Sequence, residues 1–248
     1  MKKIRLILLI LLITPTLNAQ FNFVDQWPSR FRIGSEGGIS MVSFFGNPVT
    51  AKSHINTLGY TAGIYFQYSF NQILHPDSTS KSTLHFGLKS GVYFDSKGAI
   101  TTPNSLIKAG LPPDSATTRI QMDYITIPVL ITFSMGREGK VKFYETLGPY
   151  FSVLINQHTR RKEPDGATSG INNIGTYKRF DVGLSLGFGI EIPFKQKFYL
   201  NVEFRQNIGL FNINNTAFPN NAIVQTNSSN LLVGFSYRFG RKKPYKDK

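Results

Sequence analysis

The segment Asp181–Phe194, DVGLSLGFGIEIPF, alternates without a fault. Val182, Leu184, Leu186, Phe188, Ile190, Ile192 and Phe194 fall on one side, and Asp181, Gly183, Ser185, Gly187, Gly189, Glu191 and Pro193 fall on the other. A period of two is that of a β-strand with one apolar face, and a helix would scatter the same residues around its circumference. The pattern recurs. Thr83–Phe94 sets Leu84, Phe86, Leu88, Val92 and Phe94 against Thr83, His85, Gly87, Lys89, Gly91 and Tyr93. Phe198–Leu210 and Leu231–Gly240 repeat it. In all, the spacing predicts eight strands, near 31–46, 58–70, 82–100, 119–135, 142–156, 178–194, 198–213 and 229–240.

The leader decides which β architecture is built. Residues 1–19 carry Lys2, Lys3 and Arg5, then the apolar run Leu6–Ile13, then Thr14-Pro15-Thr16 and Ala19 before Gln20. This is the form of a secretory signal peptide cut after Ala19. The run is too short for a spanning helix, which needs about 20 apolar residues, so an uncleaved anchor is the weaker reading. After Gln20 no apolar stretch has that length. An exported β chain then either stays in the periplasm or closes into a barrel in the outer membrane, since lipid offers no partners for unpaired backbone groups.

The second face separates these options. A soluble sandwich turns its polar face to water. Here that face is Gly, Ser and Thr with a few charges of both signs, which suits a narrow barrel interior, while Leu, Val, Ile and Phe suit lipid. The 21 Phe and 22 Gly suggest rings packed outward and small residues inward. A run of about ten tilted residues crosses a lipid band about 25 Å tall. Connections 136–140 and 195–197 are short, whereas 101–118, 157–177 and 212–228 are long and polar. That is the contrast between periplasmic turns and outer loops; 71–81 is longer than a turn should be, and 47–57 is moderate. The expected fold is therefore all-β, an eight-stranded antiparallel up-and-down transmembrane β-barrel over residues 20–240, with a basic periplasmic tail over 241–248.

Inward parity collects Arg32, Glu36, Lys89, Asp181, Glu191, Glu203, Arg205 and Arg238. An eight-stranded barrel is filled by side chains, and buried charges must pair or cost several kcal/mol each. These eight are expected to form one lumen network that plugs the barrel. Glu145 is a misfit whose parity points it to lipid unless a bulge turns it inward. Pro128 cannot donate to a ladder and suggests a bulge in the fourth strand.

Five segments carry a resemblance: Asp123-Tyr124-Ile125-Thr126-Ile127-Pro128-Val129-Leu130, Leu147-Gly148-Pro149-Tyr150, Asp181–Ile190, Phe204–Ile213 and Phe235-Ser236-Tyr237-Arg238-Phe239-Gly240. In order and type they resemble the PorT-like outer-membrane β-barrel family, small barrels of the porin type from Gram-negative bacteria. Thr126 stands where that family often has Glu. The resemblance implies the barrel fold and, through the family's namesake, a link to type IX protein secretion. It implies no catalytic residues.

The absence of Cys excludes disulfides, thiol catalysis and a lipoprotein anchor. His54, His75, His85 and His158 have no metal-ligand spacing, and no cofactor or metal is expected. The formal charge is +14, including the three leader cations, and much of the rest sits at Arg160-Arg161-Lys162, Lys178-Arg179 and Arg241-Lys242-Lys243. Loop cations could meet lipopolysaccharide phosphates or simply be solvated; nucleic acid is not expected for an exported chain. The expected role is structural, adhesive or accessory to secretion, as a monomer among outer-membrane lipid with an envelope or secretion-system partner. A lipid-modifying barrel enzyme and a small channel are the alternatives.

Overall fold

The structure, a computed structural model, describes residues 31–74, 83–112, 114–136, 140–172, 174–195, 197–215 and 223–239. The leader, the 241–248 tail and His75 lie outside these residues. The strands are β1 (Phe31–Gly46), β2 (Thr57–Leu74), β3 (Thr83–Thr101), β4 (Thr117–Gly136), β5 (Lys142–Lys162), β6 (Thr168–Ile171), β7 (Phe180–Pro193), β8 (Phe198–Gly209) and β9 (Val224–Arg238). Two short helices, α1 (Pro48–Ser53) and α2 (Pro103–Lys108), sit in the connections β1–β2 and β3–β4. No helix among the described residues is long and apolar enough to cross a membrane.

Sequence neighbours pair antiparallel all the way round. β1 pairs with β9, and the β4–β5 pairing completes the ring of β1–β5 and β7–β9. The result is a closed eight-stranded up-and-down barrel. The short β6 pairs only with the far end of β5, over Thr159–Lys162. Closure leaves no open edge on the ring, which is the condition lipid imposes on strands.

The alternation maps onto the wall as its chemistry requires. Ile39, Leu58, Ile64, Phe143, Phe188 and Phe235 are among many large apolar side chains on the outside. Rings on the outer surface near the end that carries Phe31 touch in series: Phe31–Tyr68, Tyr68–Phe70, Phe70–Phe86 and Phe86–Phe133, with centroids 4.8–5.4 Å apart. Phe198, Tyr237 and Phe239 continue this belt at the ends of the neighbouring β9 and β8. Such girdles mark a membrane interface.

The inner face differs from the small-residue interior that the sequence suggested. Tyr65, Tyr93, Tyr124, Tyr150 and Tyr199 all point inward and are buried. Most Phe face lipid, whereas these five Tyr enter the lumen, where a hydroxyl can find a polar partner. The glycines give these rings room. A Cβ on Gly63 would lie 2.5 Å from the Tyr93 ring, and one on Gly183 would lie 2.6 Å from the Tyr150 ring.

Two further expectations change. Register is continuous on both sides of Pro128, so no bulge forms there. Ser90 instead donates to the Pro128 carbonyl at 2.8 Å, satisfying a hydroxyl that shares the outer face with Leu88 and Val92. The irregularity lies nearer the end opposite Phe31, where β5 carries one extra residue between Leu154 and Asn156 opposite Tyr124 and Asp123. Glu145 keeps its outward parity. It is exposed, paired between Phe133 and Phe188 and close to the start of β5, where a carboxylate can reach the interface.

Leu186 lies mid-strand on the outer face, 43% exposed. Leu186→Arg is expected to destabilise the folded barrel by about 2–4 kcal/mol, as cations at the bilayer midplane do. Urea titration of the refolded protein in lipid vesicles measures this; a negligible change would place Leu186 outside the lipid band.

Candidate functional site

The lumen is filled in layers, described from the end that carries Phe31 and Arg238. In the first layer Arg32 pairs with Glu191 and lies over the Tyr199 ring, 4.4 Å from its centroid. Arg238, half-buried, donates to the Tyr199 hydroxyl at 3.3 Å. Lys142 is buried beside His85, 3.5 Å between Nζ and Nε2.

The second layer is a quartet. Lys89 Nζ lies 2.8 Å from Glu36 and 2.9 Å from Glu203. Arg205 donates through Nη2 to Glu36 at 2.5 Å and through Nε to Glu203 at 2.7 Å. Each carboxylate therefore meets both cations, and the formal charges cancel. Hydroxyls complete the carboxylates: Tyr93 donates to Glu36 at 2.8 Å and Tyr144 to Glu203 at 3.0 Å. Lys89 also sits over the Tyr65 ring, 4.2 Å from its centroid. All four charged side chains are at most 4% exposed. The strands that supply them, β1, β3 and β8, lie on different sides of the ring, so the quartet spans the bore.

Above it lies a neutral layer. Ser40 donates to Asn230 at 2.6 Å, Ser185 to Asn207 at 2.7 Å, and Thr126 and Ser152 share a bond of 2.8 Å. A cavity of about 10 Å³ lies between this layer and Tyr93, Asp95, Tyr150 and Arg205. That is near the smallest space that holds a single water. Asp95 Oδ1 has no hydrogen-bond partner among the protein atoms there.

In the next layer Lys97 lies 3.0 Å from Asp181, which also accepts from Thr226 at 2.6 Å and from Tyr150 at 3.4 Å. The last layer, at the end opposite Phe31, is apolar. Backbone bonds Lys178 N to Ile213 O at 2.7 Å and Ile213 N to Val224 O at 2.8 Å fold the β6–β7 and β8–β9 connections over the mouth. They set Tyr177 and Ile213 against Phe44, Met122, Tyr124 and Leu154, all buried.

The eight charges that parity collects thus divide among three layers rather than one network. Glu36, Lys89, Glu203 and Arg205 meet in the quartet; Arg32 and Glu191 pair below, near Arg238; Asp181 pairs above with Lys97. Sequence reading passed over Lys97, Asp95 and Lys142. Lys97 sits four positions beyond Tyr93 and shares its parity, so the inward row of β3 simply runs further than the apolar pattern that flags it. The apolar lid was beyond sequence reading, because it is assembled from loop residues far apart in the chain.

Outside the barrel the β4–β5 hairpin projects past the ring. Arg161 grips Asp114 with Nη1 and Nη2 at 2.6 and 2.8 Å, and Glu163 with Nε at 2.6 Å. The Arg161 hydrogen bonds hold the Asp114 carboxyl below the usual carboxylate range. Among the described residues no cluster of His, Asp and Glu suits a metal.

The closed ring, the lipid-facing apolar wall and the side-chain-filled bore together define an integral outer-membrane β-barrel. The chain belongs to the outer membrane protein beta-barrel domain family, whose model matches residues 18–215. Among solved structures it is similar to Neisserial surface protein A, at 15% identity over 85% of this chain and 98% of that one, with a TM-score of 0.44. Ail of Yersinia pestis, in complex with the heparin analogue sucrose octasulfate, is 12% identical over 85% and 99%, with a TM-score of 0.40. OprG from Pseudomonas aeruginosa is 8% identical over 86% and 98%, also at 0.40. A search of curated proteins finds no match.

Two outcomes follow from the site. Glu203→Gln leaves Lys89 and Arg205 to share Glu36, and removal of one member of a buried charge set is expected to cost about 3–5 kcal/mol. The urea midpoint in detergent micelles reads this, and a loss below about 1 kcal/mol would mean the quartet behaves like a surface pair. The second outcome concerns acid. A depressed carboxyl contributes its stabilisation above its unfolded value of 3.8 and loses it as pH falls through the lower folded value. Protection against hydrogen exchange at Ala116 and Glu163, taken relative to the intrinsic rate at each pH, is expected to hold down to the ordinary aspartate range and to fall only below it; loss of protection near neutral pH would contradict the Arg161 clasp.

Proposed function

We propose that the mature protein is a sealed, non-enzymatic barrel that works through its outer loops, in a structural or adhesive role or as an accessory to protein secretion. The single observation behind this reading is the occlusion of the bore by successive layers, from the Glu36–Lys89–Glu203–Arg205 quartet to the Tyr177–Ile213 lid. A charge set with both signs balanced offers no net field for selecting ions, and a lid built from aliphatic side chains and aromatic rings offers too few polar groups to replace a hydration shell. The PorT-like segments on β4, β5, β7, β8 and β9 favour the secretion-linked role within this family and assign no catalytic residue. On the same reading the leader is removed after Ala19, residues 20–240 form the barrel, and the basic 241–248 tail lies in the periplasm. The protein acts as a monomer without a cofactor, among outer-membrane lipid that includes lipopolysaccharide, and its loops or tail meet an envelope or secretion partner.

The test is electrical. Purified full-length protein, reconstituted into planar bilayers, is expected to give no stable single-channel conductance. A large, steady conductance would overturn the sealed-barrel reading and favour a channel.

A further inference from the structure

The outward face of the β4–β5 hairpin changes character above the lipid band. Ile127, Val129, Phe151 and Val153 are exposed and apolar. Beyond them the same face turns polar: Asp123 accepts from Ser96 at 3.0 Å, from Gln121 at 3.3 Å and from Asn156 at 3.1 Å, so this carboxylate is fully engaged. Next come Arg119 and Arg160, directly opposite each other across the β4–β5 ladder and both exposed, with Lys162 two residues further along β5. Arg119 Nη2 donates to the carbonyl of Leu58, a residue 68% exposed, so its guanidinium lies against the upper rim of the apolar wall.

Like charges placed directly opposite on one face of a ladder are destabilising. Among the described residues no carboxylate pairs with Arg119, Arg160 or Lys162, although acids are close at hand. Asp114 and Glu163 are held by Arg161, which alternation turns to the other face. The chain thus engages the nearby acids and leaves a cationic stripe on the side that meets the membrane surface.

We propose that Arg119, Arg160 and Lys162 form a binding site for the phosphate groups of lipopolysaccharide in the outer leaflet. The proposal rests on the reading that this end of the barrel faces outward. Two guanidinium forks and an ammonium together match a headgroup carrying several phosphates better than a glycerolipid carrying one. The anion resolves the Arg119–Arg160 repulsion, and its acyl chains lie along the exposed Ile127, Val129, Phe151 and Val153.

Native mass spectrometry of the refolded full-length protein in a zwitterionic detergent tests this, with deep-rough lipopolysaccharide as the probe. Arg119→Gln/Arg160→Gln is expected to weaken binding about 30-fold, the scale of two interfacial cations. Lys195→Gln, which removes an exposed cation at the opposite end of the barrel, is expected to leave binding unchanged, and Arg119→Lys/Arg160→Lys to retain most of it. A gel shift on heating reports folding of each variant, and the single Gln variants are read instead if the double one does not fold. The site is overturned by wild-type binding in the folded double variant. It is equally overturned if dephosphorylated lipopolysaccharide or phosphatidylglycerol binds as well as the probe, or if inorganic phosphate at matched phosphate concentration displaces it. A separate arm labels Asp165→Cys on intact cells with a membrane-impermeant maleimide. Labelling supports the outward orientation, so that a negative binding result then counts against the phosphate site alone; no labelling overturns the orientation and the site with it.

Discussion

A strand in lipid has no water to satisfy its backbone, and this constraint organises the whole molecule. Each N–H and C=O in the band must find a partner on a neighbouring strand, so the last pairing, β4 with β5, matters as much as any other. Once the ring closes, alternation sends every second side chain into a narrow bore and the rest into lipid. What faces lipid need only be apolar. What faces inward must fill a fixed volume and satisfy every polar group it brings.

The inward solution uses tyrosine and paired charge. Tyr93 lies over Gly63 and Tyr150 over Gly183, and each ring delivers a hydroxyl to a buried carboxylate, Glu36 or Asp181. A buried ion pair is weak in its net contribution to stability, because desolvation offsets most of the attraction. Its structural effect here is one of placement. Glu36, Lys89, Glu203 and Arg205 come from three strands around the ring, and a slip of one residue in any of them would turn its charge toward lipid. The quartet therefore makes wrong registers expensive, and it closes the bore as a by-product.

The fold was legible in the sequence to a large degree because one face of every strand meets a uniform solvent. Asp181–Ile192 is a strand by inspection, and inward parity found all four members of the quartet. Legibility fails where alternation stops carrying information. Strands β4 and β5 run past the lipid band, so residues 157–162 read as polar loop although they are paired to Arg161 and beyond. Pro128 signalled a bulge, yet the ladder tolerates its missing donor and bulges instead beside Asp123, where the wall leaves lipid. The lid of Tyr177 and Ile213 depends on how two loops meet, which no local pattern encodes. Parity put Tyr93 on the inner face, but the expected small-residue interior left out the row of buried tyrosines, because ring hydrophobicity alone does not say which face has a partner for the hydroxyl.

The central claim is the two-sided wall, lipid outside and packed protein inside. Nitroxide labels placed singly at residues 182–190 in lipid vesicles, with relaxation by dissolved oxygen and by a polar nickel chelate, test it most directly. Positions 182, 184, 186, 188 and 190 should respond to oxygen and not to the chelate. Positions 183, 185, 187 and 189 should respond to neither. Strong chelate access at the odd positions would reveal a water-filled bore, and the absence of oxygen contrast at the even ones would mean that the apolar rows do not face lipid.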